Sequence, residues 1–446
     1  GVDNTALGRG TLSNNVSGTQ NTAIGKSALE VNIVSNNTAV GHQSLDANTN
    51  GASNTAVGQA SLTANTTGAK NTAIGQGALD ANTTASFNTA VGSDALGANT
   101  TGADNTAVGK NALESNSEGI QNTAVGKNSL GTNITTNYNT AVGWNSLNAN
   151  ITNENSAFGT SAMEKNTTGA RGTGLGAYAL GLNTSGTKNT AIGYTALYNN
   201  TTGSNNVAIG YQALDSNTTV GDGTAVGYQA LSSNTTGASN TAIGTTAMLA
   251  NTSGQQCVAV GSNAMANNTT SNDNTSVGAY SMNSNTTGNL NTALGRNALR
   301  LNTTGHDNTA VGYNALYTNT TAIYNTAIGG QALQNNTTGF QSVAVGRATL
   351  LANTTGPYNT GSGYNALGNV TTGQQNTGIG RLAGSGLTTG QNNTFLGHFA
   401  RPSTASQTNS NVIGHNVVGA AGYTTLGAST SDIRAGNGTA TWAAVS

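Results

Sequence analysis

Residues 54–70 read NTAVGQASLTANTTGAK, and this 17-residue pattern returns along nearly the whole chain. Its N-T-A-[VI]-G motif, or a close variant, ends in a glycine at positions 8, 25, 41, 58, 75, 92, 109, 126, 143, 159, 176, 193, 210, 227, 244, 261, 278, 295, 312, 329, 346, 363, 380, 397 and 414. Of the 24 intervals between these glycines, 22 are 17 residues and two, 25 to 41 and 143 to 159, are 16. A disordered segment has no reason to keep this register, so the repeat predicts an ordered solenoid.

The composition narrows the possible partners. Charged residues make up 7% of the 446 residues, and the net charge is −1. We therefore expect no nucleic-acid partner, because binding to phosphates needs clustered cations. No stretch approaches the roughly 20 apolar residues of a membrane span, so we expect no membrane insertion. The chain starts at Gly1 without a methionine, which suggests a processed or truncated product.

The N-T-A-V segment alternates, so Thr and Val share one face while Asn and Ala share the other. Three repeats carry Val207, Val258 and Val343 in place of the Thr. Because that face accepts a fully apolar side chain, we predict that the Thr/Val face points into the roll. The Ala position is kept small, so we expect another backbone to approach closely there.

A second apolar position follows four residues after each motif glycine. It is always Leu or Met from Leu12 to Leu367, and it holds all four methionines: Met163, Met248, Met265 and Met282. Methionine fills irregular gaps, so this row is predicted to be core, in preference to a cofactor site.

The N-T-T-G segment that comes next is typical of a turn, because Asn and Gly tolerate positive φ. Both 16-residue repeats lose their residue in this segment. We predict that it lies on the rim, where the stacked Asn side chains can hydrogen-bond to one another. Each coil should then contain two short strands and two turns.

These patterns predict an all-β fold, a parallel β-solenoid (β-roll) of about 25 coils with a 17-residue repeat. The core of one chain is thin, and the small Ala and Ser positions invite packing against identical neighbours, so we expect a homotrimer; the alternative is a single-chain solenoid. The second apolar position fails at Gly384 and Arg401. We therefore assign residues 1–401 to the solenoid shaft and 402–446 to a C-terminal cap or neck region.

The chain shows little sign of catalytic chemistry. Its four histidines, His42, His306, His398 and His415, are scattered, and no His, Cys and carboxylate cluster has metal-ligand spacing. Cys257 replaces a motif Asn and is predicted to be an inert thiol, buried or half-buried. We expect neither an enzyme nor a bound cofactor or metal.

The position after each motif glycine is the most informative variable row. It carries the basic residues Arg9, Lys26, Lys110, Lys127, Arg296, Arg347 and Arg381. It also carries six aromatic residues, which we single out as possible glycan contacts: Trp144, Tyr194, Tyr211, Tyr228, Tyr313 and Tyr364. Tyr194, Tyr211 and Tyr228 fall on consecutive coils, so their rings are expected to stack. The alternative is a row of strand-favouring residues without a ligand, which we favour.

The motifs at 206–210 (NVAIG) and 342–346 (SVAVG) resemble the head repeats of trimeric autotransporter adhesins, although the period of 17 is longer than the roughly 14 of that family. That resemblance implies a left-handed roll. The N-T-A-[VI]-G, A-L and N-T-T-G combination looks more like bacteriophage tail-fibre shafts. The C-terminal stretch from Thr424 to Ser446 resembles the segment before a tail-fibre intramolecular chaperone, which implies self-cleavage after Ser446.

The resemblance implies a structural fibre protein of a phage tail, extracellular on the virion and acting in host attachment. Its expected partners are identical chains, other tail proteins and a host-cell glycan or outer-membrane receptor. The alternative is the head of a bacterial adhesin on the cell surface. A minor alternative is an ice-binding solenoid, which is disfavoured if the Thr row of the motif points inward.

Overall fold

The computed structural model describes residues 1–428 and 432–436, together with the backbone of 442–445. The chain divides into two compact units, unit 1 spanning Gly1–Gly223 and unit 2 beginning at Thr224. Within the described residues every regular element is a β-strand, and none is a helix. The prediction of an all-β chain is therefore confirmed.

Unit 1 contains thirteen strands of three residues each. They are β1 (Thr5–Leu7), β2 (Thr22–Ile24), β3 (Thr38–Val40), β4 (Thr55–Val57), β5 (Thr72–Ile74), β6 (Thr89–Val91), β7 (Thr106–Val108), β8 (Thr123–Val125), β9 (Thr140–Val142), β10 (Ser156–Phe158), β11 (Thr173–Leu175), β12 (Thr190–Ile192) and β13 (Val207–Ile209).

Unit 2 continues the series with strands whose lengths vary from two to six residues near the C-terminus. They are β14 (Thr224–Val226), β15 (Thr241–Ile243), β16 (Val258–Val260), β17 (Thr275–Val277), β18 (Thr292–Leu294), β19 (Thr309–Val311), β20 (Thr326–Ile328), β21 (Val343–Val345), β22 (Thr360–Ser362), β23 (Thr377–Ile379), β24 (Thr394–Leu396), β25 (Arg401–Pro402), β26 (Asn411–His415), β27 (Val418–Gly419), β28 (Tyr423–Ala428), β29 (Asp432–Gly436) and β30 (Trp442–Val445).

Strands β1–β13 in unit 1 and β14–β24 in unit 2 each pair in parallel with the next strand of the same unit, one coil apart and in the same sequence register. In β4 and β5, for example, Thr55 pairs with Thr72 and Val57 with Ile74. The chain is thus a parallel β-solenoid of about 25 turns with a 17-residue repeat, as predicted. In unit 2 the parallel series runs through β24, β26 and β28, after which β29 and β30 pair antiparallel.

The interior of a coil is narrow and is filled by five positions. In the coil that starts at Asn54, these are Asn54, Ala56, Ser61, Leu62 and Asn65, all with 0% exposure. The Leu/Met row is therefore core, as predicted. The small Ala and Ser side chains also lie inside their own coil, so they offer no surface for packing against a copy of the chain.

The predicted orientation of the strand is wrong, because the Ala face points inward and the Thr/Val face points outward. Val258 and Val343, two of the substitutions that indicated an inward face, are 36% and 38% exposed. The interior is tightly packed at this position: a Cβ added to Gly174, at the Ala position, would lie 3.0 Å from Met163 Cγ. An exposed strand accepts Val as readily as Thr, since both are β-branched.

In residues 1–393 the second predicted strand is absent, and each coil has only one. Within the described residues, a second strand occurs in the coils that begin at Thr394 and Asn411, as the two-residue parallel pair β25 and β27. The segment that carries the Leu row runs as consecutive turns, with Ala60 at φ 56° and Leu62 at φ 53°. Residues in this left-handed region cannot form an extended strand. The segment still bonds to the neighbouring coil, since Leu62 N donates to Ala78 O at 3.0 Å.

Two ladders of buried asparagines run through the coils. The first, which we call the turn ladder, is formed by the Asn of the N-T-T-G segment. Asn65 Nδ2 donates to Asn48 Oδ1 at 2.8 Å and to Gly68 O at 2.9 Å, which confirms the predicted stacking. The second, which we call the motif ladder, is formed by the Asn that begins the N-T-A-[VI]-G motif. The backbone N of Asn71 donates to Asn54 Oδ1 at 2.9 Å. These amides satisfy backbone groups that would otherwise be buried without partners.

Candidate functional site

The outward Thr and Val/Ile positions form a continuous uncharged surface on each unit, which we call the Thr/Val stripe. It comprises the first and third residues of β2–β13 in unit 1 and of β14–β24 in unit 2, and none of these residues is charged. Adjacent strands of a sheet lie about 4.8 Å apart. Ile74 is 41% exposed and Val108 is 37% exposed, so the apolar row is open to solvent.

The aromatic row after the motif glycine is exposed. Its six predicted members, Trp144, Tyr194, Tyr211, Tyr228, Tyr313 and Tyr364, are 43–52% exposed. The rings of Tyr194 and Tyr211 stack at 5.6 Å with 12° between their planes, as expected for neighbouring coils. An exposed ring face of this kind suits the apolar face of a sugar, and glycan contact here stays a prediction.

A second aromatic row was not recognised in the sequence. It lies at the position before the motif Asn and includes Phe87, Tyr138, Tyr324 and Tyr358, which are 47–55% exposed. Lys70, at the same position one coil earlier, places its ammonium 4.9 Å from the Phe87 ring centroid. The fixed offset of these aromatics from the motif was the signal in the sequence that would have revealed the row.

Two of the four histidines are brought together, so the expectation that all are scattered is wrong for this pair. The rings of His398 and His415 stack at 5.0 Å, and Arg381 Nη1 lies 3.0 Å from His398 Nε2. His306 Nδ1 lies 2.7 Å from its neighbour Asp307. Among the residues that the structure describes, no group of three or more His, Cys, Asp or Glu side chains is placed to hold a metal.

Cys257 occupies a position of the motif ladder and is buried. Its Sγ lies 3.4 Å from both Gln255 O and Ser271 O. Burial raises the pKa of this thiol to about 11, so the reactive thiolate is scarce at neutral pH.

In the described part of the chain, no helix has the length and hydropathy to span a membrane. Comparisons with protein-family models, with curated proteins and with solved structures find no match. No relative therefore transfers a function to this chain, and its surfaces and repeat carry the functional argument.

Proposed function

We propose that this chain is a structural shaft of a phage tail fibre, acting as a stiff trimeric spacer in host attachment. The observation that supports this most directly is the unbroken internal register of each unit. Nearly every coil repeats the same strand pairing and the same buried asparagine contacts, as β4 and β5 show. Hydrogen bonds repeated from coil to coil resist bending of the solenoid. A spacer needs this stiffness, whereas a catalytic domain does not.

The Thr/Val stripe is the surface through which identical chains pack in this proposal. A continuous exposed apolar surface larger than a few hundred Å² is rare on a monomer and usually marks an interface. A partner must match a spacing of about 4.8 Å over many coils, and a parallel copy of the same solenoid does so by construction. The absence of charge on the stripe removes electrostatic repulsion between copies.

The mass of the purified chain in solution tests this assembly. Analytical ultracentrifugation should give three times the 44.1 kDa of one chain. Ile74→Lys and Val108→Lys should dissociate the trimer, because each places a cation in the apolar stripe at a position already 41% or 37% exposed. Gln76→Lys, at an exposed position beside the stripe, is the matched control and should remain trimeric. A wild-type monomer would refute the assembly.

The location of the protein distinguishes a tail fibre from an adhesin. Antibodies raised against the purified chain can be used for immunogold electron microscopy of cells and virions from the source culture. Gold on fibres that project from phage tails supports the proposal. Gold on the bacterial envelope alone would replace it with the adhesin alternative.

The outward Thr row favours ice binding as a second candidate function. Regularly spaced Thr hydroxyls and Val or Ile methyl groups on a sheet present a periodic surface to water. Thermal hysteresis of the purified chain is the test, with Thr72→Lys and Thr106→Lys as variants that interrupt the row. Absence of hysteresis in the wild-type protein would eliminate this candidate.

A further inference from the structure

A surface groove of about 450 Å³ lies in unit 1 beside one of the two short coils. In full-length coils the turn Asn donates to the carbonyl three residues later, as Asn166 does to Gly169 O at 2.8 Å. In the short coil Asn150 donates to Thr152 O, only two residues later, at 2.7 Å. The missing residue therefore lies between Ile151 and Thr152. The equivalent residues of the adjacent coils, Thr135 and Thr168, are exposed, so its deletion opens the surface.

The groove collects charge in a chain that has very little. Glu154, Arg171 and Lys188 occupy the position before the motif Asn or its equivalent on three consecutive coils, and all three line the groove. Arg171 Nε donates to Glu154 Oε2 at 2.7 Å. The Lys188 ammonium makes no hydrogen bond or ion pair within the described residues, which leaves the groove with a net positive charge.

The remaining lining combines hydrogen-bonding and apolar groups. Thr187 and Asn153 supply polar atoms, and Asn153 Oδ1 is fixed by accepting the backbone N–H of Asn137 at 2.8 Å. Ile151 is 50% exposed and offers an apolar contact. A volume of this size is within the range that accommodates small ligands.

We propose that this groove binds an acidic sugar residue of a polysaccharide. The sugar carboxylate pairs with Lys188 and with the free guanidinium edge of Arg171, as charge-assisted hydrogen bonds require. Ring hydroxyls bond to Thr187 and Asn153, and the apolar face of the ring contacts Ile151. The inference goes beyond the proposed shaft, since a spacer needs no ligand. An open groove of this kind binds weakly, and three copies in a trimer would strengthen attachment by avidity.

Binding of α-1,4-digalacturonate to the full-length protein tests the proposal by saturation-transfer difference NMR and calorimetry. Galactobiose, the neutral counterpart without carboxylates, should bind at least fivefold more weakly. Lys188→Gln should weaken digalacturonate binding at least fivefold. Lys70→Gln, at the same position of an earlier coil, should leave it unchanged. Equal binding of inorganic phosphate would show a simple anion site and overturn the sugar assignment, as would equal binding of the two disaccharides.

Restoring the missing residue provides an independent test. Inserting Thr between Ile151 and Thr152 returns the coil to 17 residues and should abolish binding. The control inserts Thr between Ile33 and Val34 in the other short coil, where Asn32 Nδ2 donates to Val34 O at 2.7 Å. Binding that survives the first insertion, or is lost with the second, would refute the site. Ultracentrifugation of the same variants reports the trimer separately, so a failed groove and a failed shaft give different results.

Discussion

The turn ladder should make Asn82 one of the most sensitive positions in unit 1. Asn82 is 0% exposed, and its Nδ2 donates to Asn65 Oδ1 at 2.8 Å and to Ala85 O at 3.1 Å. Its Oδ1 accepts from Asn99 Nδ2 at 3.0 Å. Asn82→Ala removes all three bonds and leaves the fold of the backbone otherwise unchanged.

The loss of stability in Asn82→Ala depends on which buried groups lose their last hydrogen-bond partner. Ala85 O keeps a bond from Asn71 Nδ2 at 2.8 Å, so it remains satisfied. Asn65 Oδ1 and one N–H of Asn99 are left buried without a partner. Each such group costs about 1–2 kcal/mol, so the variant should lose about 3 kcal/mol of local stability.

Hydrogen exchange followed by mass spectrometry is the appropriate assay, because a long repeat array need not unfold in one step. A loss of about 3 kcal/mol should accelerate exchange of the amides in the coils around Asn82 by about 100-fold. Gln76→Ala removes an exposed amide in the same region and should change exchange less than about twofold. Unchanged protection in Asn82→Ala would refute the view that the ladder stabilises the coils.

Three further predictions concern single positions. Cys257→Asn should slow local exchange by an amount equivalent to about 1 kcal/mol, because an amide replaces a weakly bonding thiol; native Cys257, with its pKa near 11, should resist iodoacetamide at pH 8 until the protein is unfolded. Leu113→Ala should cost about 3 kcal/mol by hydrogen exchange, whereas Leu113→Met should cost under about 1.5 kcal/mol; equal costs would contradict an adaptable core row. Burial raises the pKa of Asp80 in the folded state, so its coil should gain stability as the pH falls from 7 toward about 4. Asp80→Asn should remove this pH dependence, and Asp104→Asn should preserve it.

The features that the sequence predicted correctly are those that recur at the same position in nearly every repeat. The 17-residue period, the Leu/Met row and the stacked turn asparagines each recur with almost no exceptions. The prediction of a second strand failed because Leu62 and its counterparts adopt left-handed φ. That conformation is unusual for a bulky residue, and the residue types of the segment do not reveal it. The backbone bonds between coils, and not a second strand, hold that segment in place.

The error in the strand orientation has a specific cause. Replacement of Thr by Val suggests tolerance of burial, but an exposed strand tolerates the same replacement. The decisive signal was the small residue at the Ala position, since only the interior limits side-chain volume. The groove was missed for a different reason. The 16-residue interval from 143 to 159 was visible in the sequence, but its effect on the surface depends on which turn residue is lost.

The reversed orientation changes which functions compete for the same surface. If the Thr/Val face pointed inward, the Thr row could not contact ice. Copies of the chain would then have only the Ala and Ser positions through which to pack. With that face outward, self-association and ice binding both require the same uncharged stripe, and a trimer that buries the stripe leaves none of it to contact ice. The trimer mass and its loss in Ile74→Lys therefore decide between the two candidates. A trimer that the stripe variants dissociate supports the shaft and excludes ice binding through the stripe, whereas a wild-type monomer removes the assembly and leaves ice binding to be tested.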